Sequence, residues 1–153
     1  MILPPKKPVG NSKPSTGGTN RFSKTAKLIG DRAEAIALRW IEANVDGVHD
    51  IRWVAQEGLT PGWDIEFRDN SGELVAVEVK GTSGSLFTSF ELTSNELSAS
   101  RKMGYCYLLI LVADCLGTTP QVQTIPNLVE QLDFGGLVSV RKEVDSFESF
   151  VIL

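Results

Sequence analysis

Gly62-Trp63-Asp64, followed by Leu74-Val75-Ala76-Val77-Glu78-Val79-Lys80-Gly81, is the stretch that decides how this chain folds. It sets two acids and a lysine in apolar company. Residues Asp64 to Asp69 and Glu73 to Lys80 each alternate polar with β-branched or aromatic side chains, and Asn70-Ser71-Gly72 between them is turn chemistry. The pattern predicts a β-hairpin. With those three residues as the loop, Asp69 faces Glu73, Phe67 faces Val75, Ile65 faces Val77, and Asp64 faces Glu78. Side chains alternate faces along a strand, so Ile65, Phe67, Val75, Val77 and Val79 turn towards a core while Asp64, Glu78 and Lys80 share the other face.

Like charges opposed on neighbouring strands destabilise a sheet by roughly 0.2–1 kcal/mol per pair. A divalent cation removes the objection, because two converging carboxylates suit a hard ion such as Mg²⁺, which keeps several waters and needs few protein ligands. Lys80, on the same face, is placed to hold a water or a phosphate oxygen beside the ion. Such a set fits metal-assisted hydrolysis of a phosphodiester. The competing reading is a solvated hairpin face with surface ion pairs worth about 0–1 kcal/mol each.

Upstream, Ala33, Ile36, Ala37, Trp40 and Ile41 fall at helical spacing and predict an amphipathic helix from about Ser23 to Val45. Glu34 lies at the edge of its apolar stripe. Two readings stand for it: a third acid turned towards Asp64 and Glu78, or a solvated rim glutamate without a basic neighbour one turn away. Ile51 to Ala55 reads as a strand, and Gly58-Leu59-Thr60-Pro61-Gly62 as the loop that delivers Asp64. Downstream, Leu86 to Leu92 reads as a further strand. Thr93-Ser94-Asn95-Glu96 has the form of a capping box opening a helix that ends at Gly104, which accounts for Thr93 and Glu96 without any function. Tyr105 to Ala113 is the near-continuous apolar run of a strand buried on both faces. Residues 113–153 read as a peripheral extension, with strands near Gln121 to Thr124, Leu137 to Arg141 and Phe147 to Leu153 and a short helix near Asn127 to Leu132.

Asp64 followed by Glu78-x-Lys80 on the next strand resembles the signature of the PD-(D/E)XK nuclease superfamily. From Ile29 to about Val112 the chain is similar to the nuclease-like domain at the C-terminal ends of restriction-associated helicases and of the NO VEIN protein. The landmarks are Gly30-Asp31-Arg32-Ala33-Glu34, Gly62-Trp63-Asp64-Ile65, Val77-Glu78-Val79-Lys80-Gly81-Thr82, Phe90-Glu91-Leu92-Thr93-Ser94-Asn95-Glu96 and Tyr105-Cys106-Tyr107-Leu108-Leu109-Ile110. The resemblance implies an α/β domain, a restriction-endonuclease-like mixed sheet flanked by helices, in the order helix, three strands, helix, strand. It implies a Mg²⁺-dependent nuclease in which Mn²⁺ substitutes. Asp64 and Glu78 bind the metal with the Val79 carbonyl, Lys80 orients the attacking water, and Glu34 completes the acidic cluster. The alternative is a catalytically inactive nucleic-acid-binding or assembly module of a restriction or defence system.

Thr82, Ser83, Asn95, Arg101, Lys102, Lys24 and Lys27 are the candidates for contacts to nucleic acid. Each also has a plain reading as a turn residue or a solvated helix face. DNA is expected ahead of RNA; a helicase or ATPase partner and a homodimer stay open.

The 153 residues suffice for one domain with its own core, and the net charge of −4 looks wrong for a nucleic-acid enzyme until the charges are located. Residues 1–27 carry Lys6, Lys7, Lys13, Arg21, Lys24 and Lys27 and no acid, so the remainder is strongly acidic. Residues 1–22, rich in Pro, Gly, Ser and Thr, read as a flexible basic arm or linker ahead of a nuclease-like domain at 23–153. No run of about eighteen apolar residues spans a membrane. Without a signal peptide, and with only Cys106 and Cys115, the chain is expected in a reducing cytoplasm. Cys106 is expected in the core, Cys115 is ambiguous, and His49 is expected to be exposed near a strand start.

Overall fold

A computed structural model of the chain describes residues 17–133, 137–142 and 147–152. The central hairpin has the predicted register. Strand β2 (Ile65–Arg68) and strand β3 (Leu74–Gly81) are antiparallel, with Ile65 opposite Val77, Phe67 opposite Val75 and Arg68 opposite Leu74. The Asp69 amide closes the turn on the Glu73 carbonyl at 3.0 Å, and the Asp69 carboxylate accepts from Ser71 and Glu73 amides.

Around this hairpin a five-stranded mixed sheet runs in the order β1, β2, β3, β5, β6. Strand β1 (His49–Trp53) pairs antiparallel with β2, β5 (Tyr107–Ala113) parallel with β3, and β6 (Gln121–Pro126) antiparallel with β5. The α/β class and the order helix, three strands, helix, strand are observed, with one strand inserted before the second helix. That strand, β4 (Ser89–Thr93), leaves the main sheet and pairs with β8 (Phe147–Ile152), which in turn pairs with β7 (Leu137–Lys142). The region expected to be peripheral is thus tied in at two places: β6 forms an edge of the main sheet, and β7 and β8 build the second sheet with β4.

Alternation along β3 and β5 divides the core in two. Val77, Val79, Ile110 and Val112 face helix α1 (Gly17–Asn44), whose Ala33, Ala37 and Ile41 are fully buried against them. The other face, through Tyr107, Leu109 and Leu111, meets helix α2 (Ser94–Met103) and the second sheet, where Leu97, Phe90, Phe150 and Leu128 of the short helix α3 (Leu128–Asp133) pack. Helix α1 already begins at Gly17, so residues from 17 onward that read as a flexible arm belong to a helix. The lysines of the proposed arm at 6, 7 and 13 lie outside the described residues.

The expectation for Cys106 needs correction. Cys106 is not core: it is half-buried in a 3-10 turn, Gly104–Cys106, that precedes β5. Gly104, at φ 58°, ends α2, and the chain spends two residues of the apolar run turning back into the sheet. Cys115 is the buried one, packed beside Ile29 of α1. His49 is exposed at the start of β1, as expected.

Candidate active site

Glu78 and Lys80 project from the face of β3 that α2 covers, and this burial decides their chemistry. Glu78 is only 3% exposed. The Lys80 ammonium lies 2.9 Å from Glu78 Oε1 and 2.8 Å from Glu96 Oε2, a partner supplied by the first turn of α2. Asp64 enters where β2 begins: its amide donates to the Val77 carbonyl at 2.9 Å, and its Oδ2 accepts from the Val79 amide at 2.9 Å. The sheet therefore fixes the Asp64 side chain beside Glu78, as the register predicts.

Glu96 is the functional residue that the sequence concealed. Its capping box is present, with the Thr93 hydroxyl accepting from the Glu96 amide and Glu96 Oε2 accepting from the Thr93 amide at 3.0 Å. The same oxygen also holds Lys80. Local chemistry explained the residue completely, so nothing pointed to a second partner on a strand far back in the chain.

Glu34 reaches the site from the other side of the sheet. Its Oε2 accepts from Trp53 Nε1 at 2.5 Å, and the carboxyl is half-buried, so it is not a solvated rim residue. Helix α1 packs on the face opposite Glu78 and Lys80. Glu34 remains near enough for the Asp64 charge to raise its pKa, after burial as the larger cause, while the Trp53 bond lowers it. Among the described residues no three His, Cys, Asp or Glu side chains converge into a ready metal cage.

The electrostatics are those of crowded acids. Burial pushes Glu78 well above the usual carboxylate range; Lys80 opposes this, and Asp64 and Glu96 add to it. Burial also raises Asp64, against the Val79 amide and the Lys80 charge. At Lys80 burial disfavours the ammonium, but Glu78 and Glu96 outweigh it and the net shift is upward. Three carboxylates thus share one cation. That donor set fits a divalent ion held by Asp64 and Glu78, with the rest of its shell from water and phosphate, which is the coordination Mg²⁺ prefers.

The acids floor a cleft of about 340 Å³ walled by Leu59, Thr60, Trp63 and Asn95. The loop before Asp64 is pinned twice, by Asn95 Nδ2 to the Thr60 carbonyl at 3.1 Å and by the buried Tyr107 hydroxyl to the Gly62 carbonyl at 2.8 Å. Gly62 has φ 105°, and a Cβ there would lie 2.6 Å from Ala99 Cβ and 2.9 Å from the Asn95 carbonyl. Gly62→Ala should therefore destabilise the fold by about 1–3 kcal/mol through backbone strain alone. Urea denaturation checks this, and an unchanged midpoint would contradict the close approach.

Of the other candidates, Asn95 lines the cleft, and Thr82 is half-buried, accepting from the Gly84 amide at 3.1 Å. Ser83, Arg101, Lys102 and Lys24 are exposed, and Lys27 is paired with Asp31 at 2.6 Å. No described helix is long and apolar enough to cross a membrane.

The family described as Protein NO VEIN, C-terminal, matches residues 33–125. The match takes in Glu34, Asp64, Glu78, Lys80 and Glu96 and ends in β6. No curated protein matches the chain. A solved structure of a nuclease from a fusselovirus is 14% identical over 94% of this chain and 87% of that one, with a TM-score of 0.45.

Proposed function

Because the chain belongs to the family of the NO VEIN C-terminal domain, and because Asp64, Glu78 and Glu96 line one cleft with Lys80 paired to two of them, we propose that it is a Mg²⁺-dependent nuclease of PD-(D/E)XK type acting on DNA. The observation that carries this reading is the Lys80 ammonium held between Glu78 and Glu96, two carboxylates that line an open cleft together with Asp64. Asp64, Glu78 and the Val79 carbonyl would hold Mg²⁺, or Mn²⁺ in its place, which when bound would supply positive charge at the attacked phosphate and acidify water there.

The chain's own residues do the remainder. Lys80, fixed at both sides by carboxylates, orients the attacking water and stabilises charge that develops on the phosphate oxygens. Glu96, itself locked by the capping box, positions Lys80. Tyr107 and Asn95 hold the loop that presents Asp64. Glu34 influences the site through its charge near Asp64 and its bond to Trp53, without ligating. With no element among the described residues shaped to read base edges, shape or strand ends would set specificity.

The test offers labelled duplex DNA, single-stranded DNA and RNA with Mg²⁺, Mn²⁺ or EDTA. Cleavage of DNA with either metal, none in EDTA, and slower cleavage of RNA are expected. A second reading, an inactive nucleic-acid-binding or assembly module of a defence system, draws on the Lys80 charge being neutralised by two glutamates. Binding without cleavage in every metal would favour it.

A further inference from the structure

Helix α1 carries cations on the flank away from Glu34, and there they border a second cleft. Arg32, Ile36 and Arg39 form one wall and Gly117, Thr118 and Pro120, from the loop joining β5 to β6, form the other, around a volume of about 470 Å³. None of these residues lines the carboxylate cleft. At 100° per residue, Glu34 and Ile36 lie about 160° apart around the helix, so this cleft lies on the flank of α1 away from Glu34.

Four described cations are committed elsewhere: Lys27 to Asp31, Arg52 to Glu57 and Glu66, Lys80 to Glu78 and Glu96, and Arg68 to the Gly72 carbonyl. Arg32 and Arg39 have no carboxylate partner among the described residues. Arg32 Nε donates to the Cys115 carbonyl at 3.0 Å, which fixes its guanidinium at the cleft and leaves its two terminal nitrogens for a ligand. Arg39 is exposed and unbonded. Of the neighbouring acids, Asp31 is paired with Lys27, Glu34 is bonded to Trp53, and Glu42, one turn beyond Arg39, and Asp114, before the facing loop, form no ion pair with the arginines.

A fixed fork and a free one, with a threonine hydroxyl opposite, is recognition chemistry for phosphate oxygens. One phosphate does not fill the cleft. The arginines are seven residues apart, about 10 Å along the helix axis, or about three nucleotides of one strand at roughly 3.4 Å each. Lys24 lies about two turns ahead of Arg32 on the same helix, within residues 1–27, which hold no acid. We propose that the Arg32–Arg39 cleft is a second anchoring site for the phosphate backbone of a nucleic-acid strand, apart from the carboxylate cleft. The choice of nucleic acid over another polyanion rests on the nuclease reading of the first cleft.

The test is fluorescence anisotropy of a labelled DNA duplex in EDTA, where no cleavage intervenes. Arg39→Ala should weaken binding about three- to tenfold, Arg39→Glu more, and the slope of log K against log salt should flatten by about 0.9 for the lost contact. The cleavage rate at saturating DNA should stay at the wild-type value. Wild-type affinity and slope in both variants would overturn the proposal, and would leave the nuclease reading intact if the wild type still cuts. Arg39-dependent binding by a protein that never cuts would uphold this site and sink the nuclease reading. Arg39-dependent affinity for a poly-glutamate peptide, with none for the duplex, would overturn the proposal in favour of an acidic protein partner.

Discussion

Replacing Lys80 by alanine should lower the rate of DNA cleavage at least about a hundredfold, the scale on which loss of one preorganised electrostatic contact acts. Among the described residues Lys80 is the one cation beside three site carboxylates, Asp64, Glu78 and Glu96, so alanine removes that positive charge from the site. It also leaves Glu78, 3% exposed, without its ion pair. Breaking one side of a buried pair typically costs about 3–5 kcal/mol, so the variant should melt earlier as well. The two effects separate by circular dichroism. Assayed at a temperature where its spectrum matches the wild type, Lys80→Ala should still be inactive; cleavage near the wild-type rate would remove Lys80 from the mechanism.

The second large effect is a reversal of stability order by metal. Burial raises both Asp64 and Glu78, and the Asp64 charge pushes Glu78 further up, so the folded chain is strained by keeping both ionised. Asp64→Asn relieves that repulsion while the amide oxygen still accepts from the Val79 amide. In EDTA the variant should melt at or above the wild-type temperature. Mn²⁺ should invert the order. A ligand that binds only the folded state stabilises by about 2.7 kcal/mol at a hundredfold excess over its Kd, or about 5–10 °C for a domain of this size. The wild type should gain that shift and Asp64→Asn should lose most of it. Equal Mn²⁺ shifts in both proteins would leave Asp64 and Glu78 as mere neighbours in an ion-paired surface.

How much the sequence disclosed follows from the range of the interactions. The hairpin register was legible because polarity alternation and Asn70-Ser71-Gly72 act locally, and the meeting of Asp64 with Glu78 and Lys80 came with it. Helix α2 and its Thr93 cap were legible for the same reason. The second sheet was not, since Phe90 pairs with Phe150 across the length of the chain and no local pattern selects that partner. Glu34 was half legible: the stripe put it at the helix edge, but which face of the sheet α1 covers is a tertiary fact, and Trp53 took its carboxylate. Glu96 was hidden by its capping role. Arg32 and Arg39 carried no motif and became a site only when the β5–β6 loop came to lie across from them.

The central claim, that the Asp64–Glu78–Lys80 cleft hydrolyses phosphodiesters with a divalent ion, is tested most directly by one time course on end-labelled duplex DNA. Wild-type protein should cut in Mg²⁺, stop when EDTA is added, and resume when Mg²⁺ is restored in excess. Glu78→Gln, run beside it, should stay silent throughout. Cutting that continues through EDTA, or a Glu78→Gln variant that cuts as the wild type does, would contradict the account.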